Sequence, residues 1–367
     1  MLLSIRLLGI TSKNKRQKHH TLTLFILVLF VAYSSLSFAQ GNETSQLDSS
    51  DSATVTQNNF DTKFANYLSQ LRAEAEIKGF KAELLDTAFA TIKLREKVVK
   101  ADKNQPETKM TLDKYLSTRV PDWKVKQAIE KMEQHSELLD KVAKQYGVQK
   151  RFIVALWGNE SNFGRIQGGH PVLSSLASLA FDGRRESLFK KQFFAALTIL
   201  SEGHVSLENF NGSWAGAMGQ SQFMPTSFLN YAVDGNGDGK KDIWSTPEDV
   251  FASIANFLAK EGWDGQQTWG RQVKLNDSFD TNSLNKYSGL AKDRMLRMSA
   301  WELLGVTKFD GSPLPKVNIK ASLILPDDAN GRIYLVYNNF HTLMRWNRSL
   351  YFGTSVGYLA DRIRKGS

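Results

Sequence analysis

The chain of 367 residues contains no cysteine. Disulfide frameworks, thiol nucleophiles, thiolate metal sites and a lipid-modified N-terminal cysteine are therefore excluded. Its six histidines fall in no metal-ligand spacing and in no Ser/His/Asp arrangement. No internal repeat is present. The first 39 residues lack any acid but carry Arg6, Lys13, Lys15, Arg16 and Lys18. They continue into an apolar stretch over 22–33 that is short for a comfortable membrane span, and close on Ser37-Phe38-Ala39. That order of basic, apolar and small residues predicts a secretory leader cut before Gln40, with an uncleaved anchor as the alternative. Removing five basic residues takes the formal charge from +10 to +5. A mildly basic exported chain has little reason to meet nucleic acid, so cell-wall carboxylates or a membrane surface are the anions to consider.

Residues 40–59 are polar, low in complexity and too poor in apolar side chains to join a core, which predicts a disordered tether. The region 60–146 is dominated by 3.6-residue periodicity, as in Phe64, Leu68 and Leu71. A second helical block is expected over 149–202, broken at 164–171 and at Asp182-Gly183, and a third over 247–260. Between 270 and 337 short alternating segments, among them 317–325 and 333–337, are separated by Asp-Gly, Pro and Asn-Gly turn signals, which predicts a small antiparallel sheet. Helical spacing returns over 340–363. The fold class expected is α+β, mainly α.

Four segments carry candidate chemistry. In Trp157-Gly158-Asn159-Glu160-Ser161-Asn162-Phe163-Gly164 a wholly apolar run, 152–157, ends on one carboxylic acid and then a glycine suited to a left-handed backbone. Glu160 would stand at the lip of the core, where partial desolvation raises its pKa as a general acid near neutral pH requires; a structural helix-end hydrogen bond is the alternative. The stretch 212–225, GSWAGAMGQSQFMP, sets small residues beside Gln222, Phe223 and Met224, which suits the close approach of a sugar ring or, equally, tight helix packing. Asp234, Asn236, Asp238 and Asp242 recur at calcium-loop spacing with Gly239 at the sixth position, and Lys240 offers its carbonyl. Ser245 replaces the bidentate glutamate at position twelve, so Asp249 or Glu248 must complete the shell; a metal-free Asp/Gly turn is the alternative. Finally, Arg184 and Arg185 follow Asp182-Gly183 at a helix start, where guanidinium groups would clamp a carboxylate or form surface ion pairs.

Taken together, WGNESNFG, LASLAFDGRR, GSWAGAMGQSQFMP, DGNGDGKKDIW, SIANFLAKEGW and the C-terminal NRS, with 102–107 (DKNQPE) upstream, closely resemble the lytic murein transglycosylase B family over about 60–363. The resemblance implies a lysozyme-like core (147–269), an N-terminal helical lobe (60–146), a small β lobe (270–337) and a C-terminal helical return (338–365). It also implies non-hydrolytic cleavage of the β-1,4 bond between N-acetylmuramic acid and N-acetylglucosamine, leaving a 1,6-anhydromuramyl end. Glu160 matches the family's single catalytic acid. Ser213 and Gln222 match residues near the sugar and the catalytic acid, Arg184 and Arg185 match saccharide or peptide clamps, and Tyr115, Asn347 and Tyr351 match cleft residues. Trp346 stands where the family usually has Tyr, and Phe257 where Tyr is common; Trp346 keeps a stacking surface but lacks the phenolic hydroxyl. No acid lies between Glu160 and Asp182, compatible with one-carboxylate chemistry. The expected cofactor is one structural Ca2+. The expected partner is the peptidoglycan glycan strand, with cell-wall synthesis or secretion machinery left open. The expected state is a periplasmic monomer. A goose-lysozyme-like hydrolase and a non-catalytic wall-binding protein are the competing readings.

Overall fold

The computed structural model describes residues 50–103 and 110–366, so the expected leader and the first part of the tether lie outside the described residues. The first helix, α1 (Ser50–Ile77), starts inside the segment expected to be unstructured as far as residue 59. The misreading has a physical cause. Once the packed half of a helix is nucleated, polar residues propagate it at little cost, and apolar content does not report that. α1 buries Phe64, Leu71 and Ala75 along one stripe, with Phe64 edge-on to Phe181 at 5.2 Å. Helices α2 (Ala82–Thr91) and α3 (Glu96–Lys103) follow. The extended link between them is tied down by two serine hydroxyls, which accept from the backbone N–H groups of Lys93 (Ser174, 3.2 Å) and Arg95 (Ser178, 2.8 Å).

Next come α4 (Leu112–Arg119), α5 (Asp122–Gln134) and α6 (Ser136–Tyr146), the last closed by left-handed Gly147. They prepare the central helix α7 (Lys150–Ser161), in which every residue from Phe152 to Asn159 is buried. A helix apolar on all sides must be enclosed on all sides. α7 is enclosed by α5, α6, α11 (Pro247–Lys260) and α15 (Leu350–Lys365). The pair α8 (Val172–Phe181) and α9 (Glu186–Ser201) turns at Asp182-Gly183 as expected, and α10 (Pro225–Tyr231) packs on α9. Strands β1 (His170–Pro171) and β2 (Asn211–Gly212) form a two-residue antiparallel clip.

The second sheet is five-stranded and antiparallel, in the order β4 (Leu296–Arg297), β6 (Lys320–Ile324), β7 (Ile333–Val336), β3 (Gly270–Leu275), β5 (Val306–Lys308). Short helices α12 (Leu284–Tyr287) and α13 (Met298–Leu303) flank it, and α14 (Asn338–Trp346) leads from it to α15. β7 is buried on both faces, and its two-residue period divides it between two apolar clusters. Tyr334 and Val336 join the large helical core, whereas Ile333 and Leu335 join a smaller core with Phe279, Trp301 and Leu323. The sheet is thus a wall shared by both. Trp269, packed on Tyr334 and Phe340, donates its indole N–H to Asp361 on α15 at 2.9 Å and pins that wall to the helices. Among the described residues no helix is long and apolar enough to cross a membrane.

Gly357 is where α15 meets this pin, because a Cβ there would stand 2.2 Å from the Trp269 ring. Gly357→Ala gains helix propensity of up to ~1 kcal/mol, but overpacking a rigid ring costs about 1–3 kcal/mol. The variant is therefore expected to be less stable in urea denaturation; equal or greater stability would show that α15 is not held against Trp269.

Candidate active site at the end of α7

The C-terminus of α7 does more than the sequence indicates. Left-handed backbone was expected at Gly164, and there φ is 82°, but Asn162 (51°) and Phe163 (60°) are left-handed already. Two non-glycine residues in that region are costly and need compensation. It comes from the Phe163 ring, folded back onto Gly158 and edge-on to Trp157 at 5.4 Å, and from Ser161, whose hydroxyl accepts from Gly164 N–H at 3.0 Å. A Cβ on Gly158 would lie 2.7 Å from that ring, so the glycine is what lets the chain double back. The result fixes Glu160 on the last turn of a helix that is buried from Phe152 to Asn159.

Glu160 is partly buried, and Trp346 from the end of α14 covers it. The indole Nε1–H donates to Glu160 Oε1 at 2.5 Å. Trp346 packs in turn on Phe257 (4.7 Å) and Phe223 (5.2 Å). The two positions that depart from the family pattern, Trp346 and Phe257, are therefore in contact, and the indole N–H supplies a donor where the phenol is absent. Desolvation raises the Glu160 pKa to about 7, opposed by the Trp346 hydrogen bond and by the positive fields of Arg119 and Lys124. Both charged groups acting on it are cations. Among the described residues no second carboxylate does so.

The other expected site residues are placed as follows. Tyr115 on α4 is buried close enough to feel the Glu160 charge, lies edge-on to Tyr351 at 5.4 Å and has its pKa raised by burial. Tyr351 donates to Met110 C=O at 2.8 Å and to the Asp327 carboxylate, which also accepts from Leu112 N–H at 2.9 Å. Its hydroxyl thus ties the β6–β7 loop to the start of α4. Ser213 is buried, and its hydroxyl accepts from Ala217 N–H at 2.9 Å. Gln222, itself left-handed at φ 50°, donates to the carbonyls of Gln167 (3.1 Å) and Gly219 (2.9 Å). These two residues shape the 212–225 loop; among the described residues neither is hydrogen-bonded to Glu160. Asn347 accepts from Ser349 N–H at 3.1 Å, turning the chain between α14 and α15. Arg184 and Arg185 both grip the buried carboxylate of Asp102 on α3.

Sequence reasoning missed several contributors. Arg119 and Lys124 sit among many basic residues and carry no motif. Gln220 bridges Trp157 Nε1–H (2.8 Å), one helical turn before the acid, and Trp244 C=O (2.9 Å). Asp327 lies on a loop that reads as an ordinary Asp-rich turn.

In the acidic loop, Asp234 accepts from Gly237 N–H at 2.6 Å and Gly239 N–H at 2.7 Å, and Asp238 accepts from Lys240 N–H at 2.8 Å. Asn236 Oδ1 accepts from Asp238 N–H at 3.0 Å. Asp242 accepts from Trp244 N–H (2.9 Å) and Ser245 N–H (3.0 Å), and backbone donors hold its neighbour Asp234 well below the usual carboxylate range. Asp249 is buried behind the loop, accepting from Gly235 N–H at 2.8 Å and Asp242 N–H at 2.5 Å. Among the described residues no three acidic or imidazole groups converge on a cage. The donor set of Asp234, Asn236, Asp238 and Asp242 is oxygen-only, as a hard cation requires; both oxygens of Asp234, like both of the buried Asp249, accept backbone N–H groups.

A family model described as the Transglycosylase SLT domain matches residues 63–361. Membrane-bound lytic murein transglycosylase B of Escherichia coli is 31% identical over 232 residues, covering 63% of this chain and 61% of that protein. The matched segment thus spans about three-fifths of that relative. SltB3 from Pseudomonas aeruginosa, solved in complex with NAG-anhNAM-pentapeptide, superposes with a TM-score of 0.78 at 39% identity, covering 82% of this chain and 79% of that one. The Escherichia coli lytic transglycosylase Slt35 in complex with calcium gives a TM-score of 0.69 at 25% identity, covering 83% of this chain and 94% of that one. With a mainly helical body, a small antiparallel sheet and a family match over almost all of the described residues, the chain belongs to the SLT-domain transglycosylase family.

Proposed function

We propose that the protein is an exported lytic transglycosylase that cleaves the β-1,4 bond between N-acetylmuramic acid and N-acetylglucosamine in peptidoglycan without water. The observation that carries this reading is Glu160: one carboxyl, its pKa raised to about 7, with cations and, among the described residues, no acid acting on it. Hydrolytic glycosidases with two carboxylates place the second about 5–10 Å from the first, as nucleophile or as base for water. A lone carboxyl must perform both proton transfers. As the acid, Glu160 gives its proton to the glycosidic oxygen while the C1–O bond breaks, and the leaving sugar departs with a hydroxyl. The cation at C1 is stabilised by the carbonyl oxygen of the muramic N-acetyl group. The Glu160 carboxylate then takes the proton of the C6 hydroxyl as O6 bonds to C1, which restores the acid and gives the 1,6-anhydro ring. The family relationship and the SltB3 complex with an anhydro-muropeptide support this outcome.

Around that centre Trp346 orients the carboxyl and offers a flat face to the sugar. Tyr115, Ser213, Gln222, Asn347 and Tyr351 would shape the approach of the strand, and the half-exposed Arg184 would meet peptide carboxylates while it and Arg185 hold Asp102. The basic leader and its apolar run support export to the periplasm. Asp234, Asn236, Asp238, Asp242 and the Lys240 carbonyl would hold one Ca2+, which would offset the mutual repulsion of carboxylates in one turn; the calcium complex of Slt35 supports this assignment.

Digestion of purified peptidoglycan is expected to release muropeptides with 1,6-anhydro ends. Products about 18 Da heavier, carrying reducing ends, would show hydrolysis instead. Glu160→Gln keeps the shape but removes the transferable proton, so turnover should fall by at least ~100-fold with the melting transition retained. Because the acid form is required, kcat/KM should decline as pH rises through the Glu160 pKa of about 7; a profile flat from pH 6 to about 8 would remove Glu160 from this role.

Calcium should raise the melting temperature of the parent, and Asp234→Asn with Asp238→Asn should abolish that rise without lowering turnover at saturating substrate. A melting curve indifferent to millimolar calcium and to chelator would leave the loop as an Asp/Gly turn.

A further inference from the structure

Lys124 occupies a place where a lysine is costly. It lies in the first turn of α5, where the positive end of the helix dipole opposes a cation, and it is only 6% exposed while the adjacent Trp123 is 57% exposed. The usual order of burial for this pair is inverted. Among the described residues its ammonium has no hydrogen bond or ion-pair partner. Desolvation and the nearby Arg119 both push its pKa down, to about 8, and the only opposing charge that acts on it is Glu160. Among the described residues no acid on the other elements packed against α5 acts on it, Asp361 of α15 being held by the Trp269 indole. From α4 comes the like charge of Arg119. On α15, Arg362 is ion-paired with Asp122 at 3.0 Å, and α6 keeps Glu137, Asp140, Lys141 and Lys144 exposed to solvent.

We propose that Lys124 is a positioning residue for the reaction: its buried ammonium is the counter-charge of the carboxylate that Glu160 becomes between its two proton transfers. The proposal rests on Glu160 being the acid. Before the first transfer Glu160 is neutral, and the one charge acting on Lys124 among the described residues is the like charge of Arg119. Once the proton has gone to the leaving oxygen, a carboxylate stands near an ammonium in a site poor in water, where the attraction is much stronger than in bulk solvent. Lys124 gives up no proton to the reaction, and the proton that restores Glu160 comes from the C6 hydroxyl. An interaction made only after charge has developed lowers the barrier rather than tightening substrate binding. Burying an ammonium with no other partner is the stability cost of that arrangement.

The test compares Lys124→Met with Lys124→Arg on soluble glycan fragments, with kcat and KM followed against pH. The positive field of Lys124 favours the Glu160 carboxylate, so its removal raises the Glu160 pKa. The alkaline limb of kcat/KM in Lys124→Met is expected to move up by about one pH unit, while the plateau kcat falls by ~10-fold at nearly unchanged KM. Lys124→Arg, which keeps the charge, should restore both the limb and most of kcat. Lys124→Gln serves as a second neutral variant if methionine disturbs folding. An unmoved limb in both neutral variants, or equal losses in the Met and Arg variants with the parental limb, would make Lys124 a packing residue and overturn the proposal. Failure of the underlying reading is separately visible, because Glu160→Gln would then retain turnover whatever the Lys124 variants do.

Discussion

Everything at the candidate site depends on holding one carboxyl group partly out of water without neutralising it by an ion pair. A Glu in solution is a carboxylate at neutral pH and has no proton to give. The fold changes this by placing Glu160 at the end of α7, a helix enclosed by α5, α6, α11 and α15, and by covering it with Trp346 backed by Phe223 and Phe257. Desolvation is the largest influence on the group, and the indole donor and the two cations only partly offset it. The balance leaves both protonation states within reach, as a group that must first give and then take a proton requires.

The supporting structure serves that placement. α7 ends sharply because Asn162, Phe163 and Gly164 reverse the backbone within one turn, with Phe163 packed on Gly158. α14 can bring Trp346 over the acid because the five-stranded sheet is anchored through Trp269 to Asp361 on α15. Asp327, accepting from Leu112 N–H and from Tyr351, ties the same sheet to α4, which carries Tyr115 and Arg119. Asp102, held by Arg184 and Arg185, fixes α3 against the α8–α9 turn, where Lys103 also pairs with Asp182 at 2.6 Å. Expected clamps therefore carry structure as well, and their guanidinium groups are preorganised by the same carboxylate.

Helices with clear 3.6-residue stripes were legible in the sequence, and so were the turn at Asp182-Gly183 and the strands around 320–324 and 333–336, because periodicity and turn chemistry are local signals. The Glu160 segment was legible for the same reason: an apolar run ending on one acid is visible without a structure. The helical start of α1 was not, since propagation leaves no apolar trace. Lys124 could not be found either, as Trp123-Lys124 on an amphipathic helix reads as a buried tryptophan beside a solvated lysine, the reverse of their exposures. The same holds for Gln220 and Asp327, whose partners are distant in sequence. Trp346 was noticed as a departure, but only the fold shows its N–H reaching Glu160 and its ring meeting Phe257, the other departing position.

The central claim is that a single buried carboxyl changes protonation near neutrality. The most direct measurement is a 13C NMR titration of protein labelled at the glutamate side-chain carboxyl carbon, with the Glu160 signal identified by its loss in Glu160→Gln. The account predicts a midpoint near the value of about 7 set by burial, well above the ordinary 4.5. A midpoint in the ordinary carboxylate range would mean that Glu160 is already a carboxylate at working pH, and would contradict the account.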